Sequence, residues 1–205
     1  AQRQSLRQSM GVRDSDIVSL IAGQLSGTAE SLLLFVEAMR KLQMINKAYV
    51  VLREHPRAKW PDLSLLSYCR QALPNRHYVE VSNDLARTSE EYLPGVDFVL
   101  SGYATVNYAA ALCEVAGVVY VSTPSHQYEY CREKNAGIIH DKTRPIEVEI
   151  GAASYAQNPD ELADIIRRVQ AGDTADIQEA QRSMAAANDG HATDRVYDLV
   201  LKYAS

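Results

Sequence analysis

The fold is decided by residues 96–125, VDFVLSGYATVNYAAALCEVAGVVYVSTPS. Residues 96–100 and 118–121 are short β-branched and aromatic runs, which are typical of strands. Between them, residues 105–115 place small and apolar side chains at helical spacing. A strand, a helix and a strand joined by connections this short predict a parallel βαβ unit.

The turn that opens this helix holds the first candidate site, and it carries Ser101, Gly102, Tyr103, Ala104 and Thr105. Amide N–H groups at a helix N-terminus have no partner within the helix, and the helix dipole is positive there. Such a turn is suited to a phosphate. The alternative is an ordinary turn in which a Ser or Thr side chain caps the helix.

The overall composition limits the classes of protein. Hydrophobic residues make up 46% of the 205, enough for a sizeable core. The net charge of −5 and the scattered Lys and Arg argue against a nucleic-acid partner. No apolar run approaches the roughly 18 residues of a membrane span, and no signal peptide is visible.

The cysteines and the first residues bear on the protein's setting. Cys69, Cys113 and Cys131 are unclustered and odd in number, which predicts buried free thiols in a reducing compartment rather than disulfides or a zinc site. We therefore expect a cytoplasmic protein without a metal. The chain begins without Met on a polar segment of helical appearance, which suggests a domain of a longer polypeptide.

The rest of the chain alternates short strands with helices. Thr28 or Ser26 is expected to cap the second predicted helix, and Pro94 with Gly95 to stop the short one at 87–93. This alternation predicts an α/β fold: one Rossmann-like domain over 1–205, with a mostly parallel five- to six-stranded sheet, helices on both faces and helices at the carboxyl end. Further strands are predicted at 16–22, 48–52, 77–81 and 137–140, with an edge strand or extended loop at 146–150, and helices at 29–43, 62–72, 87–93, 125–134, 159–171, 174–187 and 191–203.

In doubly wound sheets ligands bind beyond the carboxyl ends of the strands. The segment after the first strand holds Gly23, Ser26, Gly27 and Thr28, whose glycines allow backbone to approach a ligand closely. The alternative is a loop that uses glycine only for its turn. Neither GxGxxG nor a Walker A loop occurs, which disfavours a dehydrogenase or a P-loop kinase.

The later strand ends carry weaker signals. His55 and Arg57 follow the second strand and suit an anion, because Arg can bind phosphate in bidentate fashion; a solvated loop is the alternative. Ser82 follows the third strand, in what could be a simple turn. The acidic pairs Glu90–Glu91 and Glu147/Glu149 are interpreted as solvated faces.

Four stretches together resemble the carboxyl-terminal domain of GT-B glycosyltransferases. Residues 101–112 (SGYATVNYAAAL) are similar to a loop and helix of lipid-A-disaccharide synthases. Residues 53–57 (REHPR) are similar to the His-Pro turn of CDP-glycerol glycerophosphotransferases and UDP-N-acetylglucosamine 2-epimerases. Residues 188–200 resemble the closing helix of such transferases, and 6–27 the start of their second Rossmann-like half. The order and spacing of these stretches carry the resemblance.

The resemblance implies the donor-binding half of a two-domain enzyme. Its substrate would be a nucleotide-activated sugar, without a further cofactor, and its partner a missing amino-terminal acceptor domain. Asn107 stands where the family often has a Glu that binds ribose hydroxyls, which puts the usual nucleotide in question. The nucleotide- or phosphate-binding residues would be Gly23, Ser26, Gly27, Thr28, His55, Arg57, Ser82, Ser101, Gly102, Tyr103, Ala104, Thr105 and Asn107.

Several functions stay open at this point. The main hypothesis is a glycosyltransferase half, with surface polysaccharide synthesis as its expected role. The alternatives are a glycerophosphotransferase half, a UDP-sugar 2-epimerase half, and a non-catalytic flavodoxin-like module that binds a phosphate ligand or a protein. The sequence nominates no nucleophile or base, so catalytic residues stay unassigned, and this domain alone is expected to be inactive.

Overall fold

The computed structural model describes residues 2–23, 27–53, 63–73, 78–81, 88–102, 104–124, 144–186 and 190–191. Its strands are β1 (Ile17–Ala22), β2 (Ala48–Arg53), β3 (Tyr78–Val81), β4 (Phe98–Ser101), β5 (Gly117–Val121) and β6 (Ser154–Ala156). Its α-helices are α1 (Gln2–Ser9), α2 (Thr28–Lys41), α3 (Leu63–Ala72), α4 (Thr105–Leu112), α5 (Ile146–Glu149), α6 (Pro159–Gln170) and α7 (Ala175–Ala186). Short 3₁₀ helices span Ile45–Lys47 and Glu90–Gly95.

The strands form one sheet in the order β3-β2-β1-β4-β5-β6. Each of the five neighbouring pairs is parallel. The chain moves outward from β1 through β2 to β3, then returns to the other side of β1 and moves outward again through β4. This is the strand order of the Rossmann fold, so the predicted α/β class and parallel sheet are confirmed.

Helices cover both faces of the sheet, and the side chains of β1 show how. Ile17 and Ile21 pack into one core layer with α2, α3 and α6. Val18 and Leu20 pack into the opposite layer with α4. All six residues of β1 are buried, because a parallel strand with helices on both faces has no solvent side.

Helix α1 is fastened to the amino ends of β1 and β4 by buried charge. The Arg7 guanidinium donates to a carboxylate oxygen of Asp97 at 3.2 Å and to the backbone carbonyls of Asp16 (2.8 Å), Arg13 (3.1 Å) and Gly95 (3.2 Å). The same Asp97 oxygen accepts the Val18 amide at 2.7 Å. Arg7 is buried, so its charge is compensated by protein groups instead of water.

A second buried polar side chain joins helix α7 to the amino ends of β5 and β6. The Gln181 carboxamide, on α7, donates to the carbonyl oxygens of Val115 and Ala152, each at 2.9 Å. Val115 precedes β5 and Ala152 precedes β6. One buried side chain therefore supplies a hydrogen-bond donor to the backbone carbonyls before two neighbouring strands.

Most predicted elements are confirmed within a residue or two, and the failures have local causes. The alternation IEVEI at 146–150 is not a strand: Pro145 precedes the single helical turn of α5, and a stretch this short fits either period. Glu147 is buried there, so its solvated-face interpretation is wrong. The helix predicted at 87–93 is a 3₁₀ helix that contains Pro94 and Gly95 instead of ending before them.

One strand was missed, and some predicted elements are not tested. Strand β6 was not predicted, because three residues at a sheet edge give no readable period. The helix predicted at 125–134, the strand at 137–140 and the helix at 191–203 involve residues outside the described part of the chain. Among the described helices, none is both long enough and apolar enough to cross a membrane.

The two described cysteines differ in a way that a thiol reagent can measure. Cys69 is a buried free thiol, as predicted, and its burial raises the pKa to about 11. Cys113 is free but exposed, so its predicted burial is wrong. The last turn of the short helix α4 leaves its side chain outside the core.

In a Cys131→Ser background we expect one thiol, Cys113, to react with Ellman's reagent at pH 8 in the folded protein. Cys69 should react only after unfolding, because a thiol with a pKa near 11 holds roughly a thousandth of its population as thiolate at that pH. Cys113→Ser in the same background should abolish the fast reaction. A fast reaction that survives this substitution would show that Cys69 is accessible.

Candidate functional site

The candidate site lies where the strand order reverses. The turns that follow β1 and β4 leave two adjacent strands, since Ile21 pairs with Leu100 near their carboxyl ends. The turn after β1 leads into α2 on one face of the sheet, and the turn after β4 leads into α4 on the other. Two connections that diverge in this way leave a crevice between them, which is the usual ligand position in such folds.

The β1 side of the crevice is formed by Gly23, Gly27 and Thr28. The Gly23 amide donates to the carbonyl of Arg53 at 2.6 Å, which joins the ends of β1 and β2. Gly27 is the residue that precedes α2, in the left-handed conformation (φ 82°) that glycine adopts without strain. Thr28 is therefore the first helical residue, and the prediction that its side chain caps α2 is wrong.

Among the described residues, no side chain caps the start of helix α2; Ser26, the other predicted cap, lies outside them. The Gly27 carbonyl accepts both the amide and the hydroxyl of Ser31, each at 2.9 Å, which fixes the direction of the first turn. Thr28 is buried, and its neighbour Gly27 is partly exposed at the crevice. The backbone of Gly27, rather than the Thr28 hydroxyl, is thus accessible at this end of α2.

The β4 side of the crevice is formed by Ser101, Gly102, Ala104, Thr105 and Asn107. Ser101 ends β4 and is fully buried. Ala104 precedes α4 in an extended conformation, and no side chain caps the helix. The interpretation of this turn as a Ser- or Thr-capped helix is therefore wrong. The amide of Thr105 has no acceptor among the described residues, and Thr105 itself is exposed at the crevice.

Asn107 does not face solvent. It is fully buried in the first turn of α4, and its carboxamide nitrogen donates to the Gly102 carbonyl at 2.9 Å. The Ala104 amide donates to the same carbonyl at 3.1 Å. This contact could not be predicted from sequence, because it depends on the backbone path of the turn.

The structure brings together eight of the thirteen predicted site residues. Gly23, Gly27 and Thr28 lie on one side of the crevice, and Ser101, Gly102, Ala104, Thr105 and Asn107 lie on the other. The other five, Ser26, His55, Arg57, Ser82 and Tyr103, are outside the described residues.

The groups at the carboxyl ends of these strands suit an anion. The amino ends of α2 and α4 both point at this edge of the sheet, and each contributes the positive end of a helix dipole. Arg53 ends β2 at the same edge and brings a guanidinium group. No cluster of three or more His, Cys, Asp or Glu side chains that could hold a metal occurs among the described residues.

A cleft also lies at the opposite, amino ends of the strands. It has a volume of about 600 Å³ and is lined by residues that precede the strands, including Asp16, Lys47 and Asp97, together with Arg3 and Arg7 of α1. Its two arginines and Asp97 are already used in holding α1, through ion pairs and a bond to the Asp16 carbonyl. Volume alone therefore does not mark the ligand site.

Comparison with known proteins places the fold. No family model and no curated protein sequence matches the chain. The wall teichoic acid polymerase TagF matches 98% of this chain and 46% of its own, at 15% identity and a TM-score of 0.56. A TagF variant soaked with CDPG matches at 14% identity and a TM-score of 0.55. The C-terminal domain of LpcC, a group 1 family glycosyl transferase from Francisella tularensis, matches over 87% of both chains at 15% identity and 0.54.

The chain has the fold of a GT-B carboxyl-terminal domain. The resemblance deduced from residues 101–112 and their neighbours is thereby confirmed at the level of the fold. The chain spans about half the length of the TagF chains, but it matches the separate LpcC domain nearly end to end. Identities near 15% support the fold and leave substrate and activity to be argued from the site.

Proposed function

We propose that the chain is the donor-binding half of a GT-B glycosyltransferase, and that it binds the diphosphate of a nucleotide-activated sugar in the crevice between β1 and β4. The observation that carries this proposal is the convergence of the amino ends of α2 and α4 on the point where the strand order reverses; no described side chain caps either end. The GT-B fold, and structural neighbours described as a polymerase and a glycosyl transferase, support it.

In this proposal the backbone does most of the binding. The Thr105 amide and the positive end of α4 would hold one phosphate, and Gly23 with Gly27 would let the second phosphate approach the backbone closely. The same groups would stabilise the negative charge that develops on the departing diphosphate as an acceptor hydroxyl attacks the donor. Of the residues outside the described set, Ser26, His55, Arg57, Ser82 and Tyr103 are proposed to complete the site.

The whole enzyme is proposed to have a second, amino-terminal domain that binds the acceptor, since the chain spans less than half of TagF. Such an enzyme would act in surface polysaccharide synthesis, in line with the wall polymer named for TagF. We propose a cytoplasmic location, because an exposed free thiol such as Cys113 suits a reducing compartment.

The test is calorimetric titration of the chain with UDP, CDP, GDP and ADP, repeated on two variants of Thr105. CDP is included because residues 53–57 resemble those of glycerophosphotransferases. Thr105→Glu places a negative charge at the first position of α4, where it favours the helix but repels a phosphate. Thr105→Gln has the same size without the charge.

We expect one nucleoside diphosphate to bind, and Thr105→Glu to weaken it at least tenfold, about 1.4 kcal/mol. Thr105→Gln should stay within about threefold of the unmodified chain, since the change in free energy comes from charge. Equal affinities in both variants would place the phosphates elsewhere. Failure of all four nucleotides to bind a folded chain would contradict the proposed site.

A further inference from the structure

We propose that Asn107 is a positioning residue: it holds the Gly102 carbonyl against α4 and so keeps that oxygen out of the anion site. The inference rests on the proposed function and assigns Asn107 a task other than contact with the nucleotide. Its side chain is fully buried, and its one hydrogen bond in the described structure runs from the carboxamide nitrogen to the Gly102 oxygen, 2.9 Å away.

The geometry of the turn explains why the carbonyl needs holding. Gly102 directly follows β4, at the mouth of the crevice, and glycine lets its peptide group adopt orientations that other residues avoid. A carbonyl oxygen carries partial negative charge and would repel a phosphate if it turned outward. Two donors, the Ala104 amide at 3.1 Å and the Asn107 carboxamide, bind it on the α4 side.

The cost of this arrangement indicates a functional role. The Asn107 carboxamide oxygen is buried without a hydrogen-bond partner, and so is the hydroxyl of Ser101. Among the described residues four buried side chains have such an atom, and two of them lie at this turn; the others are Ser19 and Gln181. Burying an acceptor without a partner destabilises a protein, and such costs concentrate at functional sites.

An apolar side chain of similar size would avoid that cost, yet it would lose the donor. Asn107→Leu separates the two effects, because it removes the unpaired oxygen together with the bond to Gly102. If Asn107 served stability alone, its replacement should lower the melting temperature. If Asn107 is a positioning residue, its replacement should lower ligand affinity while the melting temperature stays the same or rises.

The experiment measures thermal unfolding and nucleotide affinity of Asn107→Leu, with Ser19→Ala as the matched control. Ser19 lies within β1, away from the crevice. It is as buried as Asn107, and its hydroxyl, like the Asn107 carboxamide oxygen, has no hydrogen-bond partner. We expect Asn107→Leu to bind the nucleoside diphosphate about tenfold more weakly without a lower melting temperature. Ser19→Ala should keep the affinity unchanged. Unchanged affinity in Asn107→Leu would overturn the inference, as would a loss of affinity that only follows a lower melting temperature.

Asn107→Asp tests the donor through its comparison with Asn107→Leu at low pH, since at high pH the ionised carboxylate would also repel the phosphate by its charge. Burial favours the neutral form of the introduced carboxyl, which can donate to Gly102, and the ionised form cannot. Relative to the unmodified chain at each pH, affinity of Asn107→Asp should be near normal at pH 5.5 and about tenfold lower at pH 8.5. Asn107→Leu should show the same relative loss at both. A loss independent of pH in Asn107→Asp would contradict a role as donor.

Hydrogen exchange separates failure of this inference from failure of the proposed function. If no nucleotide binds the unmodified chain, the proposed function fails, and the hold on Gly102 is still decided by exchange of the Ala104 amide. Asn107→Leu should speed that exchange at least tenfold while the amides of β4 exchange as before. An unchanged Ala104 exchange rate would show that Asn107 does not position Gly102.

Discussion

Replacing Arg7 by methionine is expected to lower the free energy of unfolding by about 3 to 5 kcal/mol. The substitution keeps the apolar length of the side chain and removes the guanidinium. Asp97 then loses the buried partner of its carboxylate, and the carbonyls of Gly95, Arg13 and Asp16 lose a donor. Because the Arg7 side chain is buried, these groups lie largely away from solvent, and water at the adjoining cleft replaces the lost bonds only in part.

Arg3 provides a matched control for Arg7. It lies one turn earlier on the same helix and pairs with the same carboxylate, but about half of its side chain is exposed, against 8% for Arg7. Arg3→Met should therefore cost less than about 1 kcal/mol, since exposed ion pairs contribute little. Urea unfolding at pH 7 measures both variants. Similar small losses in the two would show that Arg7 is not a buried anchor of α1.

Gly117→Ala is the second substitution with a large expected effect: the free energy of unfolding should fall by about 3 kcal/mol or more. A β-carbon on Gly117 would lie 2.2 Å from the backbone oxygen of Asp97 and 2.5 Å from the ring of Phe98. Gly117 begins β5 and pairs with Phe98 of β4, so relief of the contact requires the two strands to separate at their entry. The same movement would disturb Asp97 and its hold on α1.

Gly172→Ala is the control, because it tests backbone strain without a clash. Gly172 has a φ of 74°, and a β-carbon there would meet nothing within 4 Å. Its loss should be about 1 kcal/mol, the cost of the left-handed conformation for alanine. Urea unfolding that ranks Gly172→Ala as equal to or worse than Gly117→Ala would contradict the close approach of β4 and β5.

The architecture was predictable because its signals are local. The apolar periods at 96–100, 105–115 and 118–121 encode strand, helix and strand, and the observed elements are Phe98–Ser101, Thr105–Leu112 and Gly117–Val121. Parallel pairing follows from connections that need a helix to cross between strands. The carboxyl edge as the ligand position follows from the fold class, so the turns after β1 and β4 could be nominated without a structure.

What sequence could not supply depends on backbone geometry. Gly27, not Thr28, is the residue that precedes α2, because the turn there requires a positive φ. The order of Gly, Thr and apolar residues in the sequence does not show this requirement. The resemblance implies a ligand-facing residue at Asn107, yet the side chain points inward to Gly102. Glu147 is acidic and still buried, since the single turn of α5 directs it inward.

The location of nucleotide binding tests the central claim most directly. The ¹⁵N-labelled chain is titrated with the nucleoside diphosphate that binds in calorimetry, or with all four at millimolar concentration, and amide shifts are followed by NMR. The account predicts the largest shifts at Gly23, Gly27, Gly102 and Thr105, with Lys47 and Asp97 at the opposite edge unchanged. Shifts concentrated around Lys47 and Asp97, or no shifts with any of the four, would contradict it.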